Sequence, residues 1–277
     1  MHESRDVVPI FIIGSGRSGT RTMYRMLAGE AECEIHHEYR VLELQKLGVL
    51  YKAGKISREK TKEELKKIFD PALYYCTKKY FIDSSNKNIW FIELLSEIYQ
   101  NAKFLLMIRN ARKVVPSFYF KLREEMYDDR SNEILTQYLL EKSNMIPPLE
   151  KKYWWHIPII EKDDFVKFQK YNRFQRTCFH WYKSNITAIH SFKKINNPRL
   201  VIKLEDLVNG GGIICDLIEF LGLGDKEYIS QYLKTPRNVF YPMNYRVPAK
   251  YEEQFNDICG KLNSKLGYTD EIQNVKY

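Results

Sequence analysis

Three glycines, Gly14, Gly16 and Gly19, bracket the run Ser15, Arg17 and Ser18 directly after an apolar stretch, and that spacing is suited to holding an anion. Glycines permit a tight turn. Amide N–H groups in such a turn, together with the start of the helix after it, converge on one negative group. The segment GSGRSGTRTMYRMLAGE continues past Thr20 with Met23, Met26 and Leu27 on one helical face, so strand, turn and helix follow in the order of a phosphate cradle. The nucleotide triphosphate loop G-x-x-x-x-G-K-[ST] is the obvious comparison. Gly14 and Gly19 fit it, but Thr20 and Arg21 follow, so the lysine for the β/γ-phosphates and the hydroxyl for magnesium are both missing. Arg17 stands inside the turn instead, where its planar fork can grip a phosphate or sulfate bidentately.

The elements that must position this loop follow from periodicity. Val7–Ile13 (VVPIFII) reads as a strand buried on both faces of a parallel sheet. Tyr80–Ser84, Lys103–Arg109 and Arg199–Leu204 read as three more strands, and Ile89–Tyr99 and Ile213–Leu221 as helices. Apolar strands alternating with amphipathic helices indicate an α/β fold, a doubly wound parallel sheet of about four to five strands with flanking helices, whose ligands bind at the carboxyl ends of the strands. Asp163–Phe192 reads as one long helix capped by Asp163 or Asp164, within a helical insertion spanning Lys121–Asn197. Ala249–Leu266 is a final helix stopped at Gly267. The 277 residues are expected to form one domain carrying that insertion.

Composition narrows the partners. Hydrophobic residues make up 44% and charged residues 29%, which is ample for a core and excludes whole-chain disorder. The net charge of +9 favours an anionic partner without naming it. Five scattered cysteines without a C-x-x-C pair suggest buried thiols, with neither a disulfide framework nor a metal site. The apolar run at the amino terminus is too short to span a bilayer and lacks a cleavage site, so the chain as written reads as soluble and cytoplasmic. A chain trimmed of a membrane anchor would read the same.

Two motifs together carry a resemblance. Gly16-Arg17-Ser18-Gly19-Thr20 is similar to the 5′-phosphosulfate loop of sulfotransferases that use 3′-phosphoadenylyl sulfate (PAPS). RNARKVVPS resembles their 3′-phosphate motif, in which an arginine ends a strand and a serine follows eight residues later, here Arg109 and Ser117. Further matches resemble the tyrosylprotein-sulfotransferase-like branch: AKFLLMIR; HHEYR, with Glu38 twenty-one residues after Arg17; the pair Asn86–Lys87; and the tail RLVIKLEDLV, IEFLGL and LGY. The likeness runs over most of the chain and fails mainly within Lys121–Asn197. The family's second loop threonine is Arg21 here, Leu204 replaces a common tyrosine, and Lys121 replaces an arginine, keeping charge but losing the fork.

The resemblance implies transfer of a sulfuryl group from PAPS to a hydroxyl or amine by in-line displacement, with 3′,5′-ADP as product and no metal required in principle. It assigns Glu38 as the base, with His36 and His37 as rivals, and Arg17 and Lys87 as cations on the breaking bond. Ser18, Gly19, Thr20 and Arg21 supply backbone N–H groups, and Arg109, Ser117 and Lys121 hold the 3′-phosphate. Without the family match, Glu38 reads as a solvated or capping carboxylate, Lys87 as a surface lysine, and Arg109 and Ser117 as a strand-end cation and a cap. Pro116 suggests a loop between these last two, with a late helix start. Arg237 and Arg246 lie in a proline-rich loop that either covers the nucleotide or is a plain surface connection. Tyr153, Trp154, Trp155 and His156 form either an acceptor wall or core packing.

The acceptor is left open among a glycan, a lipid head group, a small alcohol and a protein tyrosine, and oligomeric state is not legible. Two other function classes compete. A kinase or NTPase requires magnesium-dependent ATP hydrolysis, against which the absent lysine argues. A non-enzymatic polyanion-binding module requires steeply salt-dependent binding indifferent to Glu38→Gln, and no helix-turn-helix, RNP or zinc motif supports nucleic acid.

Overall fold

Strand β1 (Val8–Gly14) is buried almost throughout, because hydrogen-bonded strands flank it and helices cover both of its faces. The computed structural model describes residues 7–121, 127–149, 162–235 and 246–269. In it β1 lies at the centre of a five-stranded parallel sheet with β2 (Cys33–His37), β3 (Tyr80–Ser84), β4 (Lys103–Ile108) and β5 (Arg199–Lys203), in the order β2-β3-β1-β4-β5. Side chains alternate as a pleated strand requires. Phe11 and Ile13 enter a core with Phe81, Phe104 and Leu106, while Ile10 and Ile12 enter another with Ile82, Leu105 and Met107.

Helices close both faces. Helix α1 (Thr20–Leu27) buries Met23, Met26 and Leu27 on the second core, joined there by α9 (Leu204–Asn209), α10 (Gly212–Leu221) and α11 (Lys226–Leu233). The first core is covered by α2 (Val41–Lys52), α3 (Arg58–Tyr75), α4 (Ile92–Ile98) and the end of α8 (Arg173–Phe192). A third cluster joins α8 to α5 (Ala111–Lys121), α6 (Asp129–Leu139), α7 (Lys162–Lys170) and the closing helical segment through Val114, Phe118, Leu135, Phe168, Trp181 and Phe255. No described helix is long and apolar enough to cross a membrane.

Successive connections run from β1 toward the β2 edge and from β4 toward the β5 edge. The topological switch point therefore lies between β1 and β4, and the crevice outside their carboxyl ends is where such sheets bind ligands. The glycine turn after Gly14 and Arg109 after Ile108 both open into it.

The sheet has five strands, within the four to five expected, with β2 the one that no apolar run marks. Three expectations need correction. The helix expected over Asp163–Phe192 is two helices, because Asn172 closes a reciprocal capping box with Gln175: the Asn172 side chain accepts from the Gln175 N–H at 3.0 Å, and the Gln175 side chain accepts from the Asn172 N–H at 3.1 Å. Neither aspartate caps a long helix; Asp164 pairs with Lys183 on α8. Helix α5 begins at Ala111 and contains Pro116, since other contacts secure its start: the Asn110 side chain accepts the Arg112 N–H at 2.8 Å, and Asn263 accepts the Ala111 N–H at 3.0 Å. One proline costs one N–H, which those anchors offset. Of the cysteines, Cys215 is exposed while the other four are buried free thiols.

The fully buried indole of Trp181 donates to the Arg109 carbonyl at 3.0 Å and ties α8 to the end of β4. Trp181→Phe keeps an aromatic ring but removes that hydrogen bond, with an expected loss of about 0.5–1.5 kcal/mol in denaturant unfolding. An unchanged midpoint would show that the bond is dispensable.

Candidate functional site

The turn between β1 and α1 has the conformation its glycines allow. Gly16 and Gly19 have φ of +78° and +108°, and at Gly16 a Cβ would meet Phe118 Cζ at 2.8 Å and Asn86 Nδ2 at 2.9 Å. Arg17 itself has φ +55°, a strained value for a residue with a side chain, and its guanidinium crosses to α5, where Nε donates to Ser117 Oγ at 3.1 Å. Arg109 donates to the Arg17 carbonyl at 3.1 Å. The two sequence motifs are thus joined directly, although about ninety residues separate them.

Electrostatics set the character of this junction. Burial, then Arg109, then Arg21 push the Arg17 guanidinium down to about 10. A cation destabilised by two other cations favours an arriving anion. Ser18 points the same way: it is fully buried and its hydroxyl has no hydrogen-bond partner among the described residues. An orphaned donor in a glycine turn beside Arg17, which feels the charges of Arg109 and Arg21, fits a phosphate or sulfate.

Lys87 is 2% exposed, which removes the surface reading of that residue. It lies in a single turn of 3-10 helix, Lys87–Phe91, and its charge acts on His180. Gly19 borders Leu204, whose Cδ1 would stand 2.9 Å from an added Cβ, so an apolar side chain lies where the expected tyrosine is missing. Thr20 begins α1, and Arg21, next on that helix, is exposed. Lys121 ends α5 one turn beyond Ser117 on the same face.

Glu38 follows β2 with φ +60°, its N–H bonded to the Ser84 carbonyl at 3.2 Å. The next N–H, that of Tyr39, is held by the buried Asp83 carboxylate at 3.0 Å, and Asn88 holds the other oxygen of Asp83 at 2.8 Å. Burial pushes Asp83 up to about 7, and the Glu38 charge adds to the rise. The rival histidines are both engaged. His36 Nε2 lies 2.9 Å from Glu34 Oε1, while His37 Nδ1 donates to the Ser84 carbonyl at 2.9 Å as its ring stacks on Tyr24.

Sequence reasoning missed His180. It lies within α8, fully buried, and its Nε2–H donates to the Ser15 carbonyl at 2.8 Å while Nδ1 accepts from the Tyr127 hydroxyl at 2.6 Å. Burial lowers it to about 4, which fixes the neutral ring. No sequence signal marked it, since a histidine amid aromatic helix positions looks like ordinary core. Arg246 is exposed, whereas Arg237 and the aromatic residues Tyr153, Trp154, Trp155 and His156 lie outside the described residues.

Fold and site together define an α/β protein with a glycine turn and two arginines, Arg17 and Arg109, at the switch point of its sheet. Residues 9–146 match the model of the sulfotransferase family. No curated protein sequence matches. Among solved structures, the sulfotransferase domain of the Synechococcus PCC 7002 olefin synthase is 14% identical, covering 96% of this chain and 96% of that one, with a TM-score of 0.48. A sulfotransferase from Alicyclobacillus acidocaldarius is 13% identical, covering 94% and 96%, with a TM-score of 0.43.

His180 and Asp83 oppose each other in pH. Between 6.5 and about 4 the unfolded chain binds a proton that folded His180 refuses, so this group loses stability as pH falls. Between 3.8 and about 7 folded Asp83 keeps a proton that the unfolded chain releases, so this group loses stability as pH rises. Relative to wild type, Asp83→Asn should therefore gain stability as pH rises from about 4 to 7. His180→Phe should lose stability relative to wild type as pH rises through about 4 to 6.5. Parallel melting curves across that range would refute both assignments.

Proposed function

We propose that the chain transfers a sulfuryl group from PAPS to a hydroxyl or amine of an acceptor. The observation that carries this reading is Arg17, whose backbone is strained and whose partly buried guanidinium is pushed down by burial, Arg109 and Arg21 at the mouth of a glycine turn. The donor set suits the cofactor: backbone N–H groups of Gly16–Arg21 and the Ser18 hydroxyl for the phosphosulfate, and Arg109, Ser117 and Lys121 for the 3′-phosphate.

PAPS supplies an already activated sulfuryl group. Arg17 and Lys87 stabilise the negative charge that gathers on the bridging oxygen as its bond to sulfur breaks. Glu38 accepts the proton of the acceptor group, whose oxygen or nitrogen forms the new bond to sulfur. Its positive φ supports that role, because strain of this kind concentrates at functional positions. His180 holds the Ser15 carbonyl, and with it the turn, in the geometry that aims the amides.

Titration calorimetry with 3′,5′-ADP tests the cofactor half. Wild type should bind, and Arg109→Ala should lose about tenfold or more in affinity, the worth of a charge-assisted hydrogen bond. Absence of binding by wild type sinks the proposal. For the chemistry, Glu38→Gln should lower the rate of transfer from labelled PAPS by about 10²–10⁴-fold with 3′,5′-ADP affinity unchanged. If His37→Phe produced that loss and Glu38→Gln did not, the base would be the histidine.

A further inference from the structure

Helix α5 carries a lysine in its first turn, where its own physics opposes one. Lys113 is the third residue of the helix, inside the first turn, where the positive end of the macrodipole disfavours a cation, and no acidic residue offsets it there. The side chain is partly buried, and no carboxylate among the described residues lies within ion-pair distance. Burial lowers its affinity for a proton, Arg109 lowers it next, and Arg246 contributes in the same direction. Glu205 is the one opposing charge, but both of its oxygens are committed, one to the Asn110 N–H at 3.1 Å and the other to the Tyr268 hydroxyl at 2.9 Å.

The neighbouring arginine shows what a satisfied cation at this helix start looks like. Arg112 pairs with Glu252 at 2.6 Å, donates to Asn256 at 3.3 Å and lies over the Phe255 ring at 4.7 Å, so it is spent on holding the closing helical segment. Lys113 is turned about 100° from it around the helix. It shares its face with Ser117 one turn on, the residue that Arg17 reaches, and stands near the helix start where Arg109 enters from β4.

We infer that Lys113 is a specificity-determining residue that holds the 3′-phosphate of the nucleotide jointly with Arg109. The inference rests on the PAPS reading above and deepens it. A dianionic phosphate at this position removes every unfavourable term at once, since it faces the lysine, the arginine and the helix start together. Leu204 brings no hydroxyl to the nucleotide, so more of the hold falls on the lysine.

The test compares 3′,5′-ADP with 5′-AMP, which differ only in the 3′-phosphate, by titration calorimetry on the full chain. Wild type should prefer 3′,5′-ADP. Lys113→Met should reduce that preference by about tenfold while leaving the 5′-AMP affinity within about twofold, and Lys113→Arg should restore most of it. The salt dependence of 3′,5′-ADP binding should become shallower in Lys113→Met alone. A preference equal to wild type in Lys113→Met overturns this inference and leaves the PAPS reading standing, as does an equal loss for both nucleotides, which would make the lysine a general attractor. A wild-type chain that does not distinguish the two nucleotides overturns both.

Discussion

A guanidinium forced among other guanidinium groups is the constraint around which this molecule is arranged. Arg17 takes a strained backbone conformation inside the glycine turn, donates to Ser117 and feels Arg109 and Arg21, all at the carboxyl ends of β1 and β4. Such a cluster holds its geometry in the absence of an anion only if the surrounding packing over-determines it. That packing is what the flanking helices provide.

Three contacts from distant parts of the chain do the holding. His180 fixes the Ser15 carbonyl, Trp181 fixes the Arg109 carbonyl, and Asn263 fixes the first N–H of α5. Two of them are adjacent residues on α8, so a single rigid helix clamps both strand ends that flank the crevice. The segment that reads as an insertion thus includes a structural wall of the site. On the opposite side, Asp83 orders the turn that presents Glu38, through a carboxylate buried at the end of β3.

Legibility followed hydrophobic contrast. The strands β1, β3, β4 and β5 are apolar runs, and their bounds were readable to within a residue. Strand β2 was not, because CEIHH has one aliphatic residue among charged and polar ones. It is a strand only through its pairing with β3 at the sheet edge. The break between α7 and α8 was hidden in an unbroken apolar period, since a capping box of Asn172 and Gln175 leaves no gap in that pattern. Likewise Pro116 argued locally for a loop, and tertiary anchors at Asn110 and Asn263 overrode it. Lys87 was legible only through a motif, as the polar run SSNKN gives no hint of a buried ammonium.

By itself, the sequence determined the order of strand, glycine turn and helix, the absence of the triphosphate-loop lysine, and the residue types able to grip an anion, because these depend on local spacing. The tertiary structure decided which of the many cations meet. Arg17 and Ser117 are 100 residues apart, and Ser15 and His180 are 165 apart. Contacts of that span come from how helices pack on a sheet, and no local pattern of residues encodes them. For the same reason the excess charge of +9 could point to an anion, yet only the packing shows Arg112 consumed by Glu252 and Lys113 beside it without an ion-pair partner among the described residues.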